Sequence, residues 1–207
     1  MHNIFYYNIT KMSDELYSKE FELLDYARQK EILKKADIND RKRSLAGDIL
    51  VKKYLSKLYG IEKEKIEIKK GKHKKPYVIN LPAHFNVSHS GNYTVVAISD
   101  RPIGIDIEVI KDFSAITAKK LFNEDELKYI SGNSSTRKKS LMQKCFYEIW
   151  TAKEAYLKYL GTGISGGINS LSFTLNKNGL LPDKKDINLS YDYSIPGTVM
   201  AIVTPKE

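Results

Sequence analysis

The chain has 207 residues, 42% of them hydrophobic and 29% charged, with a formal net charge of +9. This is the composition of an ordinary folded protein with enough length for a substantial core, and it argues against a disordered or fibrous chain. No apolar run approaches the ~18 residues of a membrane span and no signal-peptide core opens the chain. The single cysteine, Cys145, allows no internal disulfide, which suits a reducing cytoplasm.

The charge is uneven. Residues 1–102 carry 20 Lys/Arg against 13 Asp/Glu, whereas residues 103–207 carry 14 against 12. Lys63 to Lys75 holds seven lysines and two glutamates. Such a patch suits a nucleic acid, a polyanionic cofactor or an acidic protein, and equally a solvated face that keeps the chain soluble.

In chain order, His2 to Ile9 reads as an opening strand. Ser13 is placed to cap a helix whose apolar face is Leu16, Phe21, Leu23 and Leu24, and a basic helix follows over Tyr26 to Ala36. Asn39 and Asp40 are candidate caps for a helix over Arg41 to Tyr59, stopped by Gly60, with Leu45, Ile49, Leu50, Leu55 and Leu58 as its stripe. Arg43 and Ser44 then fall near its first turn, where free N–H groups and an arginine suit a phosphate; the plain alternative for Arg43 is a surface charge beside Arg41 and Lys42. A short strand is expected over Ile66 to Ile68, a lysine-rich turn over Gly71 to Pro76, and alternating strands over His84 to His89 and Tyr93 to Ser99, joined by a turn at Ser90, Gly91 and Asn92. His84 and His89 lack cysteine or acid neighbours at zinc spacing.

Pro102 to Val109 reads Pro-Ile-Gly-Ile-Asp-Ile-Glu-Val. Ile103, Ile105, Ile107 and Val109 share one face of a strand; Gly104, Asp106 and Glu108 share the other. Two carboxylates held parallel repel each other unless a cation lies between them, and oxygen donors suit magnesium or calcium. The alternative is a solvated face that happens to carry two acids. A helix is predicted over Ser114 to Ile130, a mobile polar loop over Gly132 to Ser140, and a long helix over Leu141 to Leu160, ended near Gly161 and Gly163. Glu154 and Lys158 share a face of that helix, where they form at least a surface ion pair. Trp150 reads as core. Strand positions follow at Leu171, Phe173 and Leu175, with a turn at Asn178-Gly179 and two strands around Pro196-Gly197. Thr94-Val-Val-Ala-Ile98 recurs as Thr198-Val-Met-Ala-Ile202 half a chain later, which suggests two similar α+β subdomains, residues 1–101 and 102–207.

Three blocks in order, His84-Phe-Asn-Val-Ser-His-Ser-Gly91, Gly104-Ile-Asp-Ile-Glu108 and Trp150-Thr-Ala-Lys-Glu-Ala-Tyr-Leu-Lys158, closely resemble the Sfp-type 4′-phosphopantetheinyl transferases. Arg43-Ser-Leu-Ala-Gly-Asp48, Lys75-Pro76 and the Phe122-to-Glu126 spacing fit as well. The resemblance implies an α+β fold of two α/β subdomains related by a pseudo-twofold, with the active site in the cleft between them. It implies transfer of the 4′-phosphopantetheine arm of coenzyme A to a serine of an apo acyl or peptidyl carrier protein, in fatty-acid, polyketide or nonribosomal-peptide synthesis, with release of adenosine 3′,5′-bisphosphate.

By the same matching, Asp106, Glu108 and Glu154 are the metal ligands, for magnesium or manganese. Glu154 is the candidate base, Lys158 the group on the pyrophosphate or leaving phosphate, and Asp106, Glu154 and Lys158 the catalytic set. Lys153 is a weaker candidate or a structural ion-pair partner. Arg43, Ser44, Lys75, Ser88, His89 and Lys158 are the cofactor-binding residues. The implied partners are coenzyme A and an acidic carrier protein, with no nucleic acid or membrane, for a cytoplasmic monomer. Two departures stand out. His73-Lys74-Lys75-Pro76 lacks the glycine of the family's usual Tyr-Gly-Lys-Pro, and a basic family position falls on Glu31, although Arg28 is basic. The alternatives of another class are a basic nucleic-acid-binding protein, for which no zinc finger, RNP-type block or arginine-rich arm is visible, and a metal-dependent phosphodiesterase using the same acids.

Overall fold

The computed structural model describes residues 2–71, 73, 75–132, 138–163, 167–177 and 179–206. They divide into two units, Met1–Gly71 with Pro76–Asp100, and Lys72–Lys75 with Arg101–Glu207.

In the first unit, β1 (His2–Asn8), β4 (His84–Ser90) and β5 (Tyr93–Ser99) form an antiparallel sheet in the order β1-β5-β4. β2 (Ile68–Lys70) and β3 (Pro76–Val78) form a separate ladder. α1 (Asp14–Glu22) starts at Ser13, whose Oγ accepts the Leu16 N–H at 3.1 Å, and α2 (Tyr26–Leu33) starts at Asp25, whose carboxylate accepts the Arg28 N–H at 2.8 Å. α3 (Ile38–Tyr59) packs on β5, burying Leu50, Val51 and Leu55 with Phe85, Val96 and Ile98. Its cap is Asp37, whose carboxylate accepts from the Asn39 and Asp40 N–H groups. The helix therefore starts earlier than predicted, and Arg43 and Ser44 lie in its second turn, past the free N–H groups of the first. Leu58 is exposed, while Leu45, Leu50 and Leu55 are buried. Gly60 ends the helix at φ 65°, a left-handed position that glycine takes without strain. The predicted strand at Ile66 begins instead at Ile68, after a 3-10 turn at Lys63–Lys65.

In the second unit, β6 (Gly104–Val109), β9 (Ile187–Asp192) and β10 (Thr198–Pro205) form an antiparallel sheet in the order β6-β10-β9, and β7 (Phe173–Asn176) pairs with β8 (Gly179–Pro182). The predicted helix over Ser114 to Ile130 is two helices, α4 (Ala115–Leu121) and α5 (Glu124–Ser131). Asn123 and Glu126 cap each other's backbone N–H reciprocally and start α5 afresh. α6 (Lys139–Leu160) packs on β6 and β10. Of the predicted mobile loop, residues 133–137 lie outside the described residues, as does Asn178 of the predicted Asn178-Gly179 turn.

The two units share one plan. In each, the first strand pairs with the last and the last with the one before it, and a helix of 22 residues lies between. The repeated pentapeptide occupies the middle strand of each sheet, β5 and β10. Among the described residues, no helix is long and apolar enough to cross a membrane.

Candidate active site

The acid-bearing face of β6 is not solvated. Gly104 and Asp106 are as buried as the isoleucines of the other face, because α6 lies directly against them. A Cβ on Gly104 would stand 2.0 Å from the Ala155 carbonyl oxygen and 2.5 Å from the Tyr159 nitrogen. Only a residue without a Cβ lets the strand approach the helix backbone this closely. That approach sets Asp106 and Glu108 on β6 against the α6 turn carrying Glu154 and Lys158. Lys158 Nζ donates to Asp106 Oδ1 at 2.6 Å, across 52 positions of sequence, with Asp106 4% exposed. Glu154 is half-buried, and its pKa is raised first by that burial, then by the negative charge of Asp106 and more weakly of Glu108, against the opposing pull of Lys158. Three acids and one lysine thus share one field.

This set is not a preformed metal cage. Among the described residues, no group of three or more His, Cys, Asp or Glu is arranged to hold a metal ion; at Asp106 the Lys158 ammonium supplies the positive charge. The donor chemistry nevertheless fits a hard divalent cation: every candidate ligand is a carboxylate oxygen, and the repulsion from Asp106 and Glu108 that adds to burial in raising the Glu154 pKa is what such an ion relieves. Beside Glu108, a cavity of about 280 Å³ is lined by Phe113, Leu121, Phe146, Tyr147 and Trp150 among others. Trp150, read as core in the sequence, is a partly buried wall of this cavity.

The first unit holds a second cavity, of about 220 Å³, lined by Arg28, Arg43, Ser44, Asp48, His89 and neighbouring apolar residues. Arg43 Nη1 donates to the Gly91 carbonyl at 2.7 Å and Nη2 to Asp40 Oδ1 at 2.5 Å, while its Nε is buried without a hydrogen-bond partner among the described residues. Gly47 lines the floor, where Val87 Cγ1 would come within 3.1 Å of an added Cβ. Three of the predicted cofactor residues, Arg43, Ser44 and His89, therefore meet here. Ser88, one residue before His89 in an alternating strand, is buried and is not part of this lining.

Lys75 lies elsewhere again. Its ammonium donates to the Lys158 carbonyl, to that of Tyr159 at 3.3 Å and to that of Ile103 at 3.4 Å, capping the C-terminal end of α6. Burial pushes its pKa down to about 8.

Sequence reasoning passed over two buried or partly buried acids, one of them in the first unit's cavity. Asp48 lines the cavity of the first unit and holds Arg28 Nε at 2.8 Å. The available signal was a charged residue on the inward side of a helix, which calls for a partner. The other is Glu148, 8% exposed, which accepts the hydroxyl of Tyr129 at 2.9 Å and that of Tyr193, while its carbonyl accepts from Tyr191 at 3.2 Å. These three tyrosines come from two other elements and the turn after β9, so no local pattern announces them.

Comparison with known proteins gives the same picture for both halves. The model of the 4′-phosphopantetheinyl transferase superfamily matches residues 102–193, and that of the 4′-phosphopantetheinyl transferase N-terminal region matches residues 11–101. The chain is 34% identical over 173 residues to the 4′-phosphopantetheinyl transferase psf-1 of Bacillus pumilus, covering 81% of this chain and 72% of that protein. It is 35% identical over 169 residues to the 4′-phosphopantetheinyl transferase Sfp of Bacillus subtilis (strain 168), covering 79% and 74%. To the 4′-phosphopantetheinyl transferase gsp of Aneurinibacillus migulanus it is 36% identical over 151 residues, covering 73% and 61%. With both halves matched and a third of the aligned positions identical, the chain belongs to the 4′-phosphopantetheinyl transferase superfamily and is an enzyme of its Sfp type.

Proposed function

We propose that the chain transfers the 4′-phosphopantetheine arm of coenzyme A to a serine of an apo acyl or peptidyl carrier protein in a magnesium-dependent reaction. The observation that carries this reading is the Lys158–Asp106 contact inside the field of Glu154 and Glu108. In phosphoryl transfer the barrier is negative charge on crowded oxygens, which fixed cations stabilise. The serine Oγ forms the new bond to phosphorus, and the bond to the leaving 5′-phosphate oxygen of adenosine 3′,5′-bisphosphate breaks. Glu154 accepts the serine proton, a role helped by a carboxylate held above its usual range. Lys158 stabilises the leaving phosphate. Asp106, Glu108 and Glu154 would hold magnesium, which when bound neutralises the pyrophosphate oxygens.

The cavity of the first unit, with Arg43, Ser44 and His89, is assigned to the adenosine and its phosphates, because arginine is suited to bidentate phosphate binding. The assignment rests on Arg43, Ser44 and His89, since neither Ser88 nor Lys75 is among the residues lining this cavity. The excess of 20 basic over 13 acidic side chains in residues 1–102 favours an acidic carrier protein. A cytoplasmic monomer is the matching setting, supported by a lone buried cysteine.

The test is to mix the protein with coenzyme A, magnesium and an apo carrier protein and to weigh the carrier. A gain of one phosphopantetheine arm on serine is the expected result. An unchanged carrier, or hydrolysis of coenzyme A without transfer, overturns the reading.

A further inference from the structure

Arg28 of α2 lines the cavity assigned above to the adenosine phosphates, and it is held by two carboxylates of different kinds. Its Nε donates to Asp48 Oδ2 at 2.8 Å. Asp48 belongs to α3 and lines the same cavity, and its side chain is 27% exposed against 43% for Glu31, so this is the more enclosed of the two contacts. Its Nη1 donates to Glu31 Oε2 at 2.6 Å. That same Glu31 oxygen also receives the ammonium of Lys70, which comes from β2. The Glu31 side chain is 43% exposed and the Lys70 side chain 42%, so neither is locked by packing.

One carboxylate oxygen joining an arginine to a lysine at the wall of an anion cavity makes the contacts a phosphate oxygen would make. It carries less charge than a phosphate and sits on a side chain with room to turn away.

We propose that Glu31 competes with a ligand phosphate for Arg28 and Lys70, and so sets the affinity of this cavity for a nucleoside bisphosphate. The inference rests on the coenzyme A reading above and adds to it a residue that weakens binding. Lys70, two positions after Ile68 of the cavity wall, becomes the second cation of the phosphate site once Glu31 gives way.

The experiment is calorimetric titration of the full chain with adenosine 3′,5′-bisphosphate at fixed salt. Glu31→Gln should tighten the dissociation constant about three- to tenfold, as expected when two charge-assisted contacts are released to the ligand. Glu22→Gln, which removes an exposed acid at the end of α1, should leave it unchanged. Lys70→Met should weaken binding about two- to threefold, because Glu31 then turns wholly to Arg28. It should also erase part of the gain when combined with Glu31→Gln. Binding by Glu31→Gln that is unchanged or weaker, or a gain of equal size in Glu22→Gln, overturns the competition. An unaltered constant in Lys70→Met removes the second cation from it. If the unaltered chain shows no binding of this nucleotide, the coenzyme A reading itself falls, an outcome distinct from binding that Glu31 does not modulate.

Discussion

The Lys153 ammonium and the Glu126 carboxylate lie 2.9 Å apart, and neither side chain is exposed at all. The pair is satisfied on every side. Glu126 also accepts the N–H groups of Asn123 at 2.9 Å and Phe173 at 3.0 Å, and Lys153 sits 5.3 Å over the Phe122 ring and 3.4 Å from Asn169 Oδ1. It therefore ties α6 to α5 and β7, which gives Lys153 the structural role left open for it in the sequence. Removing one partner strands a buried charge, so Lys153→Met or Glu126→Gln should each cost about 3–5 kcal/mol. The double variant should cost well under the sum, because the uncompensated charge is gone. Denaturant unfolding of the four proteins checks this; singles costing under about 1 kcal/mol would contradict the pair's role.

Lys158 and Glu154 should separate chemistry from folding. Glu154→Gln keeps the shape and the half-buried position but removes the proton acceptor, so transfer to a carrier protein should vanish while the melting temperature holds. Lys158→Ala should lower kcat about 10²- to 10³-fold, the usual scale for losing one charge-stabilising donor. Asp106→Ala should blunt the response to added magnesium. Near-normal turnover by Glu154→Gln, or an unchanged magnesium titration in Asp106→Ala, removes these residues from the mechanism.

Gly104 should be intolerant of the smallest change. In Gly104→Ala the new methyl meets the backbone of Ala155 and Tyr159 rather than a side chain that could rotate, so a cost of about 3 kcal/mol or more, or no folded protein, is expected. Gly60→Ala is the matched control. Nothing lies within 4 Å of its added Cβ, and only the φ of 65° is unfavourable, so about 1 kcal/mol is expected. Thermal melts of the two variants should differ plainly; equal melts would show that β6 and α6 are not pressed together as described.

The Lys75 ammonium gives a pH signature. Its pKa falls from the usual 10.5 to about 8 in the folded chain, through burial. Between those values the unfolded chain binds more protons than the folded one, so this group makes stability rise with pH from about 8 to 10.5, and its cost is fully present below that window. Lys75→Met loses the carbonyl contacts at the end of α6 and should be less stable by about 1–3 kcal/mol. The gap between it and the wild type should widen as pH rises from 8 toward 10.5, as measured by urea midpoints. A gap that narrows over that range would show that the ammonium is not held down by burial.

Two strands were legible from a period of two in the sequence: His84–Ser90 and the acid-bearing segment fall where alternation put them. What alternation did not convey is that both faces of β6 are covered, since a glycine and an aspartate look polar until a helix is laid on them. The break at Phe122 and Asn123 was present as Asn123-x-x-Glu126 but was overridden by the apolar period running through it. Asp37 likewise outcompeted Asn39 and Asp40 as a cap. Membership of the family rested on three ordered blocks and needed no coordinates. The partners of the site residues did need them: nothing local pairs Lys158 with Asp106, sends Lys75 to the end of α6, or places Glu31 between Arg28 and Lys70.

Because the strand nearest the C-terminus of each unit lies in the middle of its sheet, β6 has no sheet partner until Thr198–Pro205 has been made. During synthesis Asp106 and Glu108 therefore emerge on a strand whose neighbour is still many residues behind. A nonsense codon after Lys158 and before Thr198 would leave every proposed site residue in the product, yet deprive the two acids of the backbone ladder that aligns them.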